Sequence, residues 1–165
     1  MERLWAPWRM EYIEGCDKIE GCIFCVLPAR GDDEKNLILL RGKHSFMMMN
    51  GFPYNNGHLM VAPFKHTADM YLLKDEELIE INHLVRYGIK VLSSLMQPDG
   101  FNLGVNIGRT AGAGVLDHIH WHIVPRWNGD CNFMPVTANT KVLPESLPST
   151  YRKLKAKIAE LGADW

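Results

Sequence analysis

Residues 118–126 read His118-Ile-His120-Trp-His122-Ile-Val-Pro125-Arg126. β-Branched and aromatic residues fill the gaps between the histidines, which predicts a strand over His118–Pro125. On a strand, residues two apart share a face. His118, His120 and His122 therefore line one side, while Ile119, Trp121 and Ile123 turn to the other and can pack in a core. Packing alone gives no reason to align three imidazoles, which would repel one another if protonated. Two chemistries fit the row. Three neutral rings could hold a catalytic zinc with an open position. Alternatively, one ring is a nucleophile whose neighbours fix its tautomer and donate hydrogen bonds. Same-face neighbours on a strand stand about 6.5–7 Å apart. That spacing makes convergence of all three on one metal awkward, whereas a nucleophile needs only the middle ring at the substrate.

Working outward, Asn106–Gly114 precedes the histidines with three glycines, Gly108, Gly112 and Gly114. Such a loop presents backbone N–H groups with few side chains in the way and can cradle a phosphate. Before it, Phe101–Ile107 reads as a strand. Lys74–Met96 reads as one long helix. Asp75, Glu76 and Glu77 fill its first turn, and Leu78, Ile81, Val85, Ile89 and Leu92 form an apolar stripe. Asn36–Leu40 and Ser45–Asn50 are strand-length runs joined by the turn Arg41-Gly42-Lys43. A Gly-, Pro- and Asn-rich loop over 51–57 leads to a third strand, His58–Pro63. The segment up to Arg30 reads as irregular structure with short helical turns, and Ser149–Leu161 as a charged C-terminal helix. The order β-β-β-α-β-β with short links predicts an α+β domain over 1–165, with a mostly antiparallel sheet.

The chain has 165 residues, a length that one domain usually fills, and a formal net charge of −1. That balance gives no global attraction to a nucleic-acid polymer or a membrane. No apolar run approaches the roughly 20 residues of a membrane helix, and the first residues lack the apolar core of a secretion signal. The expectation is a cytoplasmic protein. Its four cysteines are Cys16, Cys22, Cys25 and Cys131. Cys22-Ile-Phe-Cys25 has the spacing of half a zinc site. Cys16 and Cys131 have no such partner and read as free thiols.

The run His118–Arg126 resembles the signature of the histidine triad, or HIT, superfamily. Gly57-His58-Leu-Met-Val-Ala-Pro63 resembles that family's second motif, and Asn50 matches its ribose-contacting position. The resemblance covers roughly residues 20–128. Leu4-Trp5-Ala-Pro-Trp-Arg9, Pro125-Arg126-Trp127 and Gly129-Asp130-Cys131-Asn132-Phe133 look like the diadenosine tetraphosphate phosphorylase and hydrolase branch.

The resemblance implies a HIT-like fold and cleavage of a dinucleoside polyphosphate by attack of His120 on the α-phosphorus. Water or inorganic phosphate would then resolve the nucleotidyl-histidine. An imidazole with a pKa of about 6.5 is largely unprotonated at neutral pH and is a competent nucleophile. His122 would bind a phosphate oxygen or protonate the leaving group. Asn50, His58, Asn106, Gly112 and Gly114 would contact the substrate. Many family members carry Gln or Ser, then Ser or Thr, where this chain has Gly114 and Val115, so a side-chain donor is missing. His66 and His118 would complete a structural zinc site with Cys22 and Cys25. No organic cofactor is implied, and a homodimer is. Two other readings keep the pocket. One is a nucleotide-binding signalling module without turnover; the other is a metal-dependent hydrolase using all three histidines.

Overall fold

The computed structural model describes residues 19–130, 143–162 and 165. The Trp-rich start, Cys16, Cys131, Asn132 and Phe133 lie outside them. Five strands form one antiparallel sheet: β1 (Ile38–Arg41), β2 (Ser45–Met49), β3 (Leu59–Pro63), β4 (Gly100–Val105) and β5 (Trp121–Arg126). Their spatial order is β1-β2-β3-β5-β4, so β4 is an edge and β5 lies between β3 and β4. Among the described residues three α-helices accompany the sheet: α1 (Ile23–Ala29), α2 (Asp75–Met96) and α3 (Leu147–Leu161). The fold is α+β, as expected.

The sheet separates two cores. Met47 and Met49 face α2 and α3 together with Leu59, Ile81, Leu84 and Ile123. Met48 faces the opposite side, with Phe24, Ile38, Phe46 and Met60. The methionine run thus alternates across the sheet as strand geometry requires. Helix α2 starts where its acidic first turn predicts. Glu77 Oε2 accepts the Lys74 backbone N–H at 2.7 Å, which closes the first turn. Its buried face is rotated from the predicted stripe, because Leu84, Gly88 and Val91 sit at the centre beside Ile81. A side chain at Gly88 would place its Cβ 2.8 Å from Ile123 Cδ1, so glycine lets the helix lie close against β5.

The helical turns expected before Arg30 take the form of one short helix over residues 23–29, where Phe24 is 1% exposed and docks the segment on the second core. Burial of such a side chain is worth about 1.5–3 kcal/mol. The strand expected over His118–Pro125 begins only at Trp121. Ile119 N–H bonds to the Thr67 carbonyl at 2.7 Å instead of joining the ladder. His118 and His120 therefore precede β5 and stand under α1.

Candidate active site

The three triad rings are buried, at 1%, 4% and 9% exposure in chain order, while Ile119 and Ile123 pack into the opposite core. Each imidazole has a defined partner, so their tautomers follow from hydrogen bonding. His120 Nδ1 lies 2.9 Å from the His118 carbonyl, which can only accept. Nδ1 therefore carries the proton and Nε2 keeps its lone pair. The Phe24 ring lies 4.6 Å from the His120 ring, at 33° to it. Burial lowers the pKa of His120, partly opposed by the bond to the His118 carbonyl. The ring is thus neutral at neutral pH.

The tautomer of His122 is set from behind. Tyr54 N–H donates to His58 Nδ1 at 3.1 Å, and Asn50 Nδ2 stands 3.2 Å from the same atom. Asn50 Oδ1 accepts Phe52 N–H at 2.8 Å, which orients that amide. With Nδ1 accepting, His58 carries its proton on Nε2 and donates to His122 Nδ1 at 2.9 Å. His122 must then carry its proton on Nε2. That atom is buried and has no partner among the described residues. Burial, with His120 nearby, lowers the pKa of His122 to about 4, so a neutral ring offers an unused donor. His58 is 0% exposed and stands behind His122, not on an open surface.

His118 faces elsewhere. Its Nε2–H donates to the Pro63 carbonyl at 2.9 Å, leaving Nδ1 bare. Nδ1 lies 3.3 Å from Cys22 Sγ, 3.5 Å from Cys25 Sγ and 3.3 Å from His66 Nδ1. The ligand atoms of these four residues all lie within 4.8 Å of one another. Tetrahedral ligands at zinc bond lengths stand about 3.5 Å apart, so two thiols and two imidazoles here could hold a zinc-like ion. The three triad rings do not converge on one point, and a shared three-histidine metal finds no support here.

The glycine loop uses some of its own donors. Gly112 N–H bonds to the Arg109 carbonyl at 3.0 Å, and Asn106 Nδ2 to the Gly112 carbonyl at 3.4 Å. Gly112 has φ +84°, a left-handed conformation that favours glycine. Gly114 has no such φ, and a Cβ there would meet nothing within 4 Å. Its missing side chain is not dictated by the backbone.

Three contributors were not found from sequence. Phe24 lies between the two cysteines, where its ring reads as ordinary core. Tyr54 acts through its backbone, which carries no compositional signal. Asp130 accepts from Arg126 Nη2 at 2.8 Å and from Asn55 Nδ2 at 2.7 Å, joining the 50s loop to the end of β5. The four-residue spacing of Arg126 and Asp130 is the signal that could have found this pairing.

A HIT domain model matches residues 32–129. The chain belongs to the HIT family. This HIT protein is 36% identical over 166 residues to a Mycobacterium tuberculosis protein named AP-4-A phosphorylase, covering 96% of this chain and 85% of that protein. It is 30% identical over 137 residues to adenosine 5'-monophosphoramidase hnt1 of Schizosaccharomyces pombe, covering 83% and 98%. It thus stands among the family's nucleotide-processing enzymes. A histidine triad nucleotide-binding protein from Sulfolobus tokodaii, described as hypothetical, superposes with a TM-score of 0.68 at 25% identity, over 85% of this chain and 93% of that one. A zinc-bound histidine triad family protein from Mycobacterium smegmatis has the same fold, with a TM-score of 0.68 at 23% identity over 86% and 95%.

Proposed function

We propose that this HIT protein cleaves dinucleoside polyphosphates of the diadenosine tetraphosphate type at the α-phosphate, through a nucleotidyl intermediate on His120. The observation that carries the reading is the opposed pair of tautomers: His120 with a bare Nε2, and His122 beside it with an unused Nε2–H. In the first step the Nε2 lone pair forms a bond to phosphorus while the bond to the leaving oxygen breaks. The Nδ1 proton, held on the His118 carbonyl, supports the positive charge that develops on the ring. His122 donates a hydrogen bond to a phosphate oxygen as charge builds there. In the second step an acceptor oxygen, from water or inorganic phosphate, displaces Nε2 and the electron pair returns to the ring. The names of the two relatives favour this class of reaction.

Asn50 and Asn106 contact the nucleotide, and the Gly112–Gly114 backbone borders its phosphates. His58 acts through His122. Zinc on Cys22, Cys25, His66 and His118 is structural and holds α1 against the catalytic segment. The protein is a cytoplasmic homodimer joined through the open β4 edge, where Leu103 and Ile107 are 52% and 55% exposed. No nucleic-acid polymer is involved. Among the described residues no helix is long and apolar enough to cross a membrane.

The test is incubation with diadenosine tetraphosphate, followed by acid-free trapping of labelled protein. His120→Asn is expected to abolish turnover and labelling while nucleotide binding persists. An active His120→Asn enzyme would refute the mechanism.

A further inference from the structure

A cleft of about 320 Å³ opens beside His122. It runs over the outer part of the sheet, where Gly104 pairs with His122 and Asn102 with Val124. Alternation puts Asn102, Gly104 and His122 on one face. A Cβ at Gly104 would meet nothing within 4 Å, so the floor next to His122 is open.

Most polar groups around the cleft are already engaged. Asn55 Nδ2 donates to the Pro125 carbonyl and to Asp130 Oδ2, at 3.0 and 2.7 Å. Asn106 Nδ2 serves the glycine loop. The Asp130 carboxylate is taken up by Arg126, Asn55 and the Trp127 N–H. Asn102 differs. Arg126 Nη1 donates to its Oδ1 at 2.7 Å, which fixes the amide with Nδ2 as the remaining donor. Nδ2 has no partner among the described residues, and neither does the buried His122 Nε2–H. Asn102 Nδ2 and His122 Nε2–H thus border one cleft, one strand repeat or about 7 Å apart. The volume is several times the roughly 30 Å³ of a water. A ligand that satisfies both donors needs at least two acceptor oxygens, which a phosphate offers whether or not a further oxygen is protonated.

We propose that Asn102, oriented by Arg126, forms with His122 the subsite for the acceptor phosphate, and so makes inorganic phosphate rather than water the acceptor. This rests on the nucleotidyl-His120 reading. An unprotonated phosphate oxygen forms the new bond to the α-phosphorus as the Nε2–P bond breaks. The electron pair returns to Nε2, and a nucleoside diphosphate leaves. No base is needed, whereas water would have to lose a proton. In the first half-reaction the same subsite holds the phosphate next to the breaking bond.

The test uses the full chain, diadenosine tetraphosphate and inorganic phosphate, and reads the ratio of ADP to AMP released from the labelled intermediate. The ratio compares two fates of one species, so it is blind to how fast that species forms. The wild type is expected to shift from AMP to ADP as phosphate rises. Asn102→Ala should raise the phosphate concentration at the crossover by about tenfold or more, the loss of one hydrogen bond to a charged group. Asn102→Asp should raise it further by repelling the anion. The bond from Arg126 to Asn102 is exposed, so its loss should lower the melting temperature by no more than a few degrees. A crossover within about twofold of wild type in both variants overturns the subsite. So does a wild type that is labelled yet yields only AMP at every phosphate concentration, in which case the His120 reading survives. A wild type that is never labelled overturns both.

Discussion

Replacing His58 by leucine would leave His122 Nδ1 without its donor and free the ring to exchange tautomers. The expected result is a fall in kcat of about ten- to a hundredfold with KM nearly unchanged, somewhat less than the loss of a direct transition-state donor. Steady-state kinetics beside urea unfolding separates this from a folding defect. The two loop glycines should respond in opposite directions. Gly112→Ala forces a side chain into the left-handed region and should cost about 1–2 kcal/mol. Gly114→Ala meets no atom and should be neutral, or stabilising by about 0.4–1 kcal/mol through the unfolded chain. Denaturant titrations of both variants test the pair. Protonation of His122 has a definite sign. Its folded pKa of about 4 lies below its ordinary value of 6.5, so the unfolded state binds the proton more tightly. Stability contributed by the neutral ring is complete above about pH 6.5 and is lost as the pH falls toward 4. His122→Phe should flatten that part of the stability profile; an unchanged slope would contradict the assignment. The triad was legible because Ile119 and Ile123 alternate with the histidines, a local pattern that persists although His118 and His120 precede the strand. The tautomer chain was not, because it depends on a Tyr54 N–H and a ring 64 positions away in sequence.

Among the elements, the contact between α2 and the β1–β2 turn rests on one carboxylate. Glu80 accepts from Lys43 N–H, His44 N–H, Ser45 N–H and Ser45 Oγ, at 3.1, 2.8, 2.8 and 2.7 Å. Burial pushes its pKa up, but the bonds from Ser45, His44 and Lys43 outweigh this and hold it below the usual range. Gly42 is required at the turn, since a Cβ there would lie 2.2 Å from Glu80 Oε1. Glu80→Ala is expected to cost about 2–3 kcal/mol, in line with hydrogen bonds to a charged group. Because the folded pKa is lowered, this contribution is present above the ordinary carboxylate pKa and fades as the pH falls through the folded value. Urea midpoints for wild type and variant, measured at neutral and acid pH, should converge. Sequence patterns foretold the hairpin and the helix, since each is written in local periodicity. Nothing local marks Glu80 among its acidic neighbours, because its partners lie 35–37 positions away. Helix α1 was legible only as unplaced helical turns for a related reason: seven residues without acidic or basic end signals are too short for periodicity to fix their bounds.

At the scale of the whole molecule, the metal cluster and the β4 edge carry the remaining expectations. Protein purified without added zinc should contain close to one zinc per chain by elemental analysis, and Cys22→Ser should lose it. Hydrogen exchange after chelation should quicken in α1 while β2, β3 and α2 keep their protection. A metal-free protein with unchanged α1 protection would contradict the structural role. Light scattering should give twice the mass of one chain, and Leu103→Asp should shift it to a single chain.

The position of His118 has a consequence for biosynthesis. Cys22 and Cys25 leave the ribosome before the rest of the cluster, and His118 follows Cys22 by 96 positions. At 5–20 residues per second the two thiols wait about 5–20 s for that ring. Throughout that interval they are open to oxidants, to stray soft metals and to each other. The newborn chain is therefore most vulnerable at a place where the finished protein sets two imidazoles beside the half-buried thiols, and thiol-reducing conditions during translation should govern how much of it reaches the native state.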